Sequence, residues 1–147
     1  MTKIEFTVIG KPQTAGSKRS FPYKKTSGNL GVRVTDDNER SKSWQQAVRH
    51  ASRDAYDGPL LSGALRVAIT FFRPRPNGHY GTGKNAGILK QSAPEYPTTR
   101  PDVLKLARCV EDALTGVIWR DDAQIVSEPL GKEFGEPARC ELVIEIL

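Results

Sequence analysis

Cysteine is scarce. Cys109 and Cys140 are the only two in 147 residues, too few and too far apart for a metal motif, and in a reducing compartment both are expected to be free thiols. Long apolar runs are absent as well; nothing approaches the ~20 consecutive apolar residues that span a bilayer. Met1 to Glu5 alternate polar and apolar and lack both the apolar stretch and the small-residue cleavage site of a signal peptide, so a cytoplasmic location is expected. There is no internal repeat and no low-complexity tract. What is present is 37% hydrophobic and 27% charged residues with a mean hydropathy of -0.48, the composition of a globular chain rather than a disordered or membrane one. The length, 147 residues, suits one domain spanning 1–147 with a real core.

Charge is unevenly placed. Residues 1–100 hold 17 Lys/Arg against 7 Asp/Glu, and residues 101–147 hold 5 against 10, so a +10 segment precedes a -5 segment and the total is +5. A basic two-thirds joined to an acidic third suggests a polyanion-binding surface around a local cluster of carboxylates, the layout of a nuclease. The plainer alternative is that these charges solvate surface faces.

Period-two alternation marks strands at Lys3 to Ile9, ending at Gly10, at Ala64 to Phe72, and at Ala138 to Leu147. Val32 and Val34 suggest a short strand, and Gln124, Ile125 and Val126 another. Trp44, Ala47, Val48, Ala51 and Ala55 recur at helical spacing after N-cap candidates at Thr35, Asp36, Asp37 and Asn38, and Gly58-Pro59 stops that helix. A second helix is predicted from Pro101 to Thr115, with Val103, Leu106, Ala107, Val110, Ala113 and Leu114 on one stripe and Gly116 as its cap. Lys11 to Asn29 reads as a basic loop, Glu133 to Pro137 as a turn. The segment at about 73–100 is rich in proline and glycine, basic, interleaved with aromatics and without period, as a nucleic-acid-facing loop would be. A floppy solvated insertion is the alternative. Strands and two helices without strict alternation predict an α+β domain, two helices packed on a mixed sheet.

Opposite the apolar stripe of the second helix, Asp102, Lys105, Cys109 and Asp112 are predicted to share a polar face, with Leu104 and Glu111 at its back. The turn after Gly116 would bring Asp121 and Asp122 back toward it. Two or three carboxylates beside a basic surface suit Mg²⁺-dependent phosphodiester cleavage, because hard oxygen donors hold the ion while it polarises phosphate and activates water. Each acid also has a bland reading. Asp102 is a first-turn carboxylate favoured by the helix dipole, Asp121-Asp122 an ordinary turn, and Lys105 and Arg108 solvated helix residues. His79 reads as an exposed, non-catalytic loop residue. Phe21, Tyr23 and Tyr80 suit either base stacking or packing, and Trp44 and Trp119 the core or a dimer interface.

The run Pro101 to Arg108, then Glu111-Asp112-Ala113-Leu114-Thr115-Gly116-Val117, then Arg120-Asp121-Asp122-Ala123-Gln124-Ile125-Val126, closely resembles the signature of the RusA family of crossover-junction endodeoxyribonucleases. Gly10-Lys11-Pro12 and Gly16-Ser17-Lys18-Arg19 resemble that family's opening strand and basic loop. Lys132 falls where a basic residue commonly follows the Asp-Asp-Ala-Gln strand. The resemblance implies a small homodimeric α+β enzyme, of a kind common in phages and prophages, that resolves four-way (Holliday) DNA junctions by paired nicks with Mg²⁺, or with Mn²⁺, in recombination and repair. A phage-encoded member would act in the host cytoplasm.

By position, the resemblance implies Asp102 and Asp122 as metal ligands, with Asp121 as a further one, and Lys105 and Arg108 as the cations that assist catalysis. Leu104 stands where the family motif has its second aspartate, a loss for which Asp121, Asp112 or Glu111 would compensate. DNA contacts are expected from Lys11, Lys18, Arg19, Lys24 and Lys25, from Arg73, Arg75, Lys84 and Arg100, and from Lys132. Leu104 also motivates a rival, a branched-DNA-binding protein with weak or no cleavage. A metal-dependent flap nuclease without junction preference is a third reading.

Overall fold

The computed structural model describes residues 3–15, 18–36 and 39–147, the side chains of 18–23 and 32–36 lying outside that description. In chain order the elements are β1 (Lys3–Ile9), β2 (Lys18–Lys24), β3 (Leu30–Asp36), α1 (Glu39–Ala55), β4 (Leu65–Arg73), α2 (Val103–Leu114), β5 (Ile125–Ser127), β6 (Leu130–Phe134) and β7 (Arg139–Ile146). Alternation sets the main sheet. Ile4 and Val8 of β1, Leu65, Val67, Ile69 and Phe71 of β4, and Cys140, Leu142 and Ile144 of β7 are all buried and line one face. The central β7 runs antiparallel to β1, from Lys3↔Glu145 to Ile9↔Arg139, and antiparallel to β4 on its other side. β5 and β6 follow one another along the far edge of β4, both parallel to it. Parallel neighbours require a crossover, and the segment that contains α2 supplies it.

Both helices cover the apolar face of this sheet, giving the mixed α+β architecture expected. Trp44 and Val48 of α1 and Leu106, Ala107, Val110, Ala113 and Leu114 of α2 are buried there, each larger side chain contributing about 1.5–3 kcal/mol. Two side-chain bonds tie helix to helix: Gln45 Nε2 donates to the Cys109 carbonyl (3.0 Å) and Arg49 Nε to that of Ala113 (3.2 Å). Gly10 ends β1 at φ +142°, where a Cβ would come within 3.3 Å of the Trp44 ring. Gly116, at φ +84°, turns the chain out of α2, and its N–H donates to the Trp119 carbonyl (2.7 Å). Trp119 is fully buried, and its Nε1 donates to Thr115 Oγ1 (3.0 Å).

Several expectations change. Lys11 to Asn29 is a loop only in part, because β2 pairs with β3 in a separate two-stranded hairpin closed by the Lys25–Asn29 turn. Leu130–Phe134 is a strand that carries little alternation; pairing with β4 makes it one, and the turn starts at Gly135. Cys109 is not on the polar face of α2 but fully buried, a small apolar side chain between the neighbouring turns of the stripe. His79 is half-buried, its ring edge-on to Phe134 at 5.3 Å, with the Arg75 guanidinium 4.3 Å from the Phe134 centroid.

Residues 74–102 contain no strand or α-helix, only short 3-10 turns at Asn77–His79 and Gly83–Asn85, yet they are hydrogen-bonded internally, as in Gly81 N–H to Ile88 O and Lys90 N–H to His79 O, both 2.9 Å. Thr35 and Asp36 close β3 and do not cap α1; Asp37, Asn38, Gly16 and Ser17 lie outside the described residues. Both cysteines are free and buried, and burial pushes the Cys140 thiol up to about 12. No helix among the described residues is long and apolar enough to cross a membrane.

Candidate active site

α2 presents an exposed face opposite its core stripe. Leu104, Lys105, Arg108 and Asp112 are solvent-exposed and Glu111 is half-buried. Leu104 is 70% exposed, an apolar residue on a polar face. Asp102 is the N-cap, in extended conformation, and its carbonyl accepts the first helical bond from Leu106 N–H (3.1 Å). Its carboxylate makes no capping bond and stands 3.7 Å from Lys105 Nζ, an exposed pair of little energetic weight.

Around Gly116 the chain enters a turn built by two side chains. Asp121 Oδ1 accepts from Ala123 N–H (2.9 Å), so Asp121 acts as a cap for the short 3-10 turn Asp122–Gln124. Gln124 makes four bonds. Its Oε1 accepts from Arg120 N–H (3.0 Å) and Asp121 N–H (2.9 Å), and its Nε2 donates to the carbonyls of Leu61 and Gly63 (both 3.0 Å). The amide thus fastens the turn to the strand entry at residues 61–63 and leaves Asp122 exposed at its tip. Sequence reasoning took Gln124 for a strand residue. The Asp-x-x-Gln spacing at 121–124 is a capping-box signal that would have found it.

Behind Asp122, Glu111 of α2 meets Glu128, which lies between β5 and β6. Burial holds the Glu111 carboxyl up at about 7, reinforced by the charge of Glu128, a hydrogen bond to it, and the charges of Asp122 and Asp112. Burial also raises Glu128; accepting the bond from Glu111 opposes that rise, and Asp122 adds to it. Glu128 Oε2 is cut off from solvent and has no hydrogen-bond partner. Glu128 was missed in the sequence, where nothing ties it to a residue seventeen positions earlier.

The structure therefore links Asp122 electrostatically with Glu111 and Glu128, while the cation at Asp102 is Lys105. Asp102 and Glu111 lie nine residues apart along one helix, roughly 13 Å of axial rise. Among the described residues no three His, Cys, Asp or Glu side chains stand together as a preformed metal cage.

The basic residues divide into two sets. Lys11, Lys24, Lys25, Lys84 and Arg100 are solvent-exposed, as phosphate-binding residues must be. Arg73, Arg75 and Lys132 are half-buried and direct their donors inward: Arg75 Nη1 to Pro94 O (2.7 Å), Arg73 Nη1 to Arg100 O (2.8 Å), and Lys132 Nζ to the carbonyls of Thr99 and Pro101. The side chains of Lys18 and Arg19 lie outside the described set.

A family model described as endodeoxyribonuclease RusA matches residues 11–145. A Bacillus subtilis (strain 168) protein described as "Uncharacterized protein YqaN" is 29% identical over 149 aligned residues, which cover 98% of this chain and 96% of that one.

Proposed function

The chain belongs to the RusA endodeoxyribonuclease family, and from that footing we propose that it is a divalent-metal-dependent endonuclease of branched DNA, nicking four-way junctions on two opposed strands as a homodimer. A two-fold dimer matches the approximate two-fold symmetry of such a junction.

The observation that carries this reading is the acidic pair behind Asp122. A buried carboxylate oxygen without a donor, pressed against a second carboxyl and facing the charge of a third, is a donor set that fits a hard divalent cation. Mg²⁺ needs few protein ligands, because one or two carboxylates suffice when water and substrate phosphate oxygens complete the shell. Glu111 and Glu128 would hold it, with the charge of Asp122 facing them, the two glutamates supplying the negative charge absent at Leu104 and Asp102 standing as a further carboxylate toward the other end of the same helix face. When bound, the ion supplies charge stabilisation at the scissile phosphate and lowers the pKa of water.

The remaining work falls to this chain's own residues. Arg108, one turn from both Leu104 and Glu111, offers a guanidinium whose planar fork suits two phosphate oxygens. Lys105, paired with Asp102, presents an exposed ammonium beside it. Lys11, Lys24, Lys25, Lys84 and Arg100 hold the DNA backbone without reading sequence. Gln124 and Asp121 orient Asp122 by fixing the turn that carries it.

Leu104 favours one second reading, a protein that binds branched DNA but cuts it poorly. A single experiment separates the two: a synthetic four-way junction, a flap and a linear duplex are incubated with the protein in Mg²⁺, in Mn²⁺ and in EDTA, beside Asp102→Asn, Asp122→Asn and Glu111→Gln. Symmetric nicking of the junction that requires metal and Asp122 is the expected result. Retarded migration of the junction without cleavage in either metal would establish the second reading, and preferential cutting of the flap would make the protein a less selective nuclease.

A further inference from the structure

Arg73 and Lys132 sit on adjacent strands at one end of the main sheet. In the parallel β4–β6 ladder Lys132 lies opposite Phe71, and Arg73 opposite Phe134. Phe71 faces the core, so Lys132 starts from the same sheet face, an unusual place for a lysine. Its stem lines a cavity of about 80 Å³ together with Pro12, Phe71, Pro101 and Leu106. Beyond that apolar wall the ammonium meets two carbonyls, those of Thr99 and Pro101, both at 3.0 Å. Arg73 takes the carbonyl between them, Nη1 to Arg100 O at 2.8 Å, and its Nη2 bonds Thr99 Oγ1 at 2.6 Å. Three consecutive carbonyls are thus held by two cations. The next residue is Asp102.

The segment entering α2 has little means of holding itself. Pro97 and Pro101 carry no N–H, and no backbone N–H among the described residues donates to the carbonyls of Thr99, Arg100 or Pro101. A charged group with several N–H donors satisfies them together, and hydrogen bonds to a charged donor are about twice as strong as neutral ones. An ammonium drawn against apolar walls is costly unless its donors find acceptors, so the two carbonyls and the lysine fix one another.

We propose that Lys132 is a positioning residue: by holding the Thr99 and Pro101 carbonyls, with Arg73 on the one between, it sets the entry to α2 and so the orientation of the Asp102 carboxylate. It acts through Asp102 and makes no contact with DNA. The proposal rests on the reading of Asp102 as part of the nuclease site, and its test keeps the two apart.

Lys132→Met keeps the stem and removes the donors; Lys132→Arg restores donors to the same carbonyls. Three quantities are compared with the unaltered protein: junction retention in EDTA across a salt series, kcat and KM for junction cleavage, and amide hydrogen exchange over residues 99–106 in EDTA. For Lys132→Met, retention and its salt slope should be unchanged, kcat should fall roughly 10- to 100-fold at constant KM, and exchange should accelerate in that segment, with Lys132→Arg recovering part of both losses.

Weakened retention with a salt slope reduced by about 1 would make Lys132 a phosphate contact and overturn the proposal. A lowered melting temperature with kcat and exchange unchanged would leave it a merely structural residue, and overturn it equally. If the unaltered protein cuts no branched DNA, the functional reading fails on its own, and exchange alone decides the clamp: acceleration confined to 99–106 supports it, none refutes it. Should Lys132→Met not fold, Lys132→Gln, which keeps a donor for one carbonyl, carries the same comparisons.

Discussion

Glu111 is held as a neutral acid up to about 7, whereas in the unfolded chain it ionises near 4.5. A carboxyl whose folded pKa is raised gives stability that is fully present below the unfolded value and is lost as pH rises through the folded one. In EDTA the melting temperature should therefore fall between pH 5 and pH 8, and fall less in Glu111→Gln, which is neutral throughout; thermal melts of the two proteins side by side isolate this group from the titrations they share. Adding Mg²⁺ at pH 8 should recover stability in the unaltered protein and not in the variant, since a cation replaces the shared proton only where both carboxylates remain. A Glu111→Gln protein that follows the unaltered one at every pH would remove Glu111 from the acidic pair. Legibility at this scale was uneven. Asp102, Asp122 and Leu104 stand out through a signature of fixed spacing. The pairing of Glu111 with Glu128 depends on how α2 lies across the β5–β6 junction, which no local pattern encodes. Arg73, Arg75 and Lys132 read as DNA-facing because charge is visible in a sequence while the carbonyls that engage it are not.

Helices and half-buried strands were legible because burial on one face imposes a period, 3.6 for α1 and α2 and two for β1, β4 and β7. β6 and β2 escaped for different reasons. Leu-Gly-Lys-Glu-Phe has a core-facing lysine where alternation expects an apolar residue, and Lys-Arg-Ser-Phe-Pro-Tyr-Lys contains a proline and three cations. The β2–β3 hairpin is a compact basic element whose tip carries Lys24 and Lys25, both exposed, beside a turn closed by Gly28 N–H to Lys25 O (2.9 Å). Replacing both lysines by alanine should leave the melting temperature unchanged and weaken junction retention, with the salt slope shallower by about 1.8 if each neutralises one phosphate. Retention measured by gel shift at several salt concentrations checks this, and an unchanged slope would take the hairpin tip off the DNA.

For the whole molecule, the division of charge follows from the topology. The basic segments 11–36 and 73–100 precede α2, and the acidic residues cluster on α2 and on the segments around β5 and β6 that return after it. One sheet with helices on one face thus brings a basic hairpin and loop and a set of carboxylates into one small domain. The register of the outer strand pair carries a separate consequence. Because Lys3 lies opposite Glu145, the chain leaves the sheet where it entered, on neighbouring strands about 5 Å apart. Joining the ends by a short flexible linker and opening the chain between Asp57 and Gly58, an exposed turn after α1, should yield a circular permutant with an unchanged far-ultraviolet circular dichroism spectrum and cooperative melting. Such a rearranged polypeptide would carry its new ends in the exposed turn after α1, where a dye or tether can be attached without touching β1 or β7.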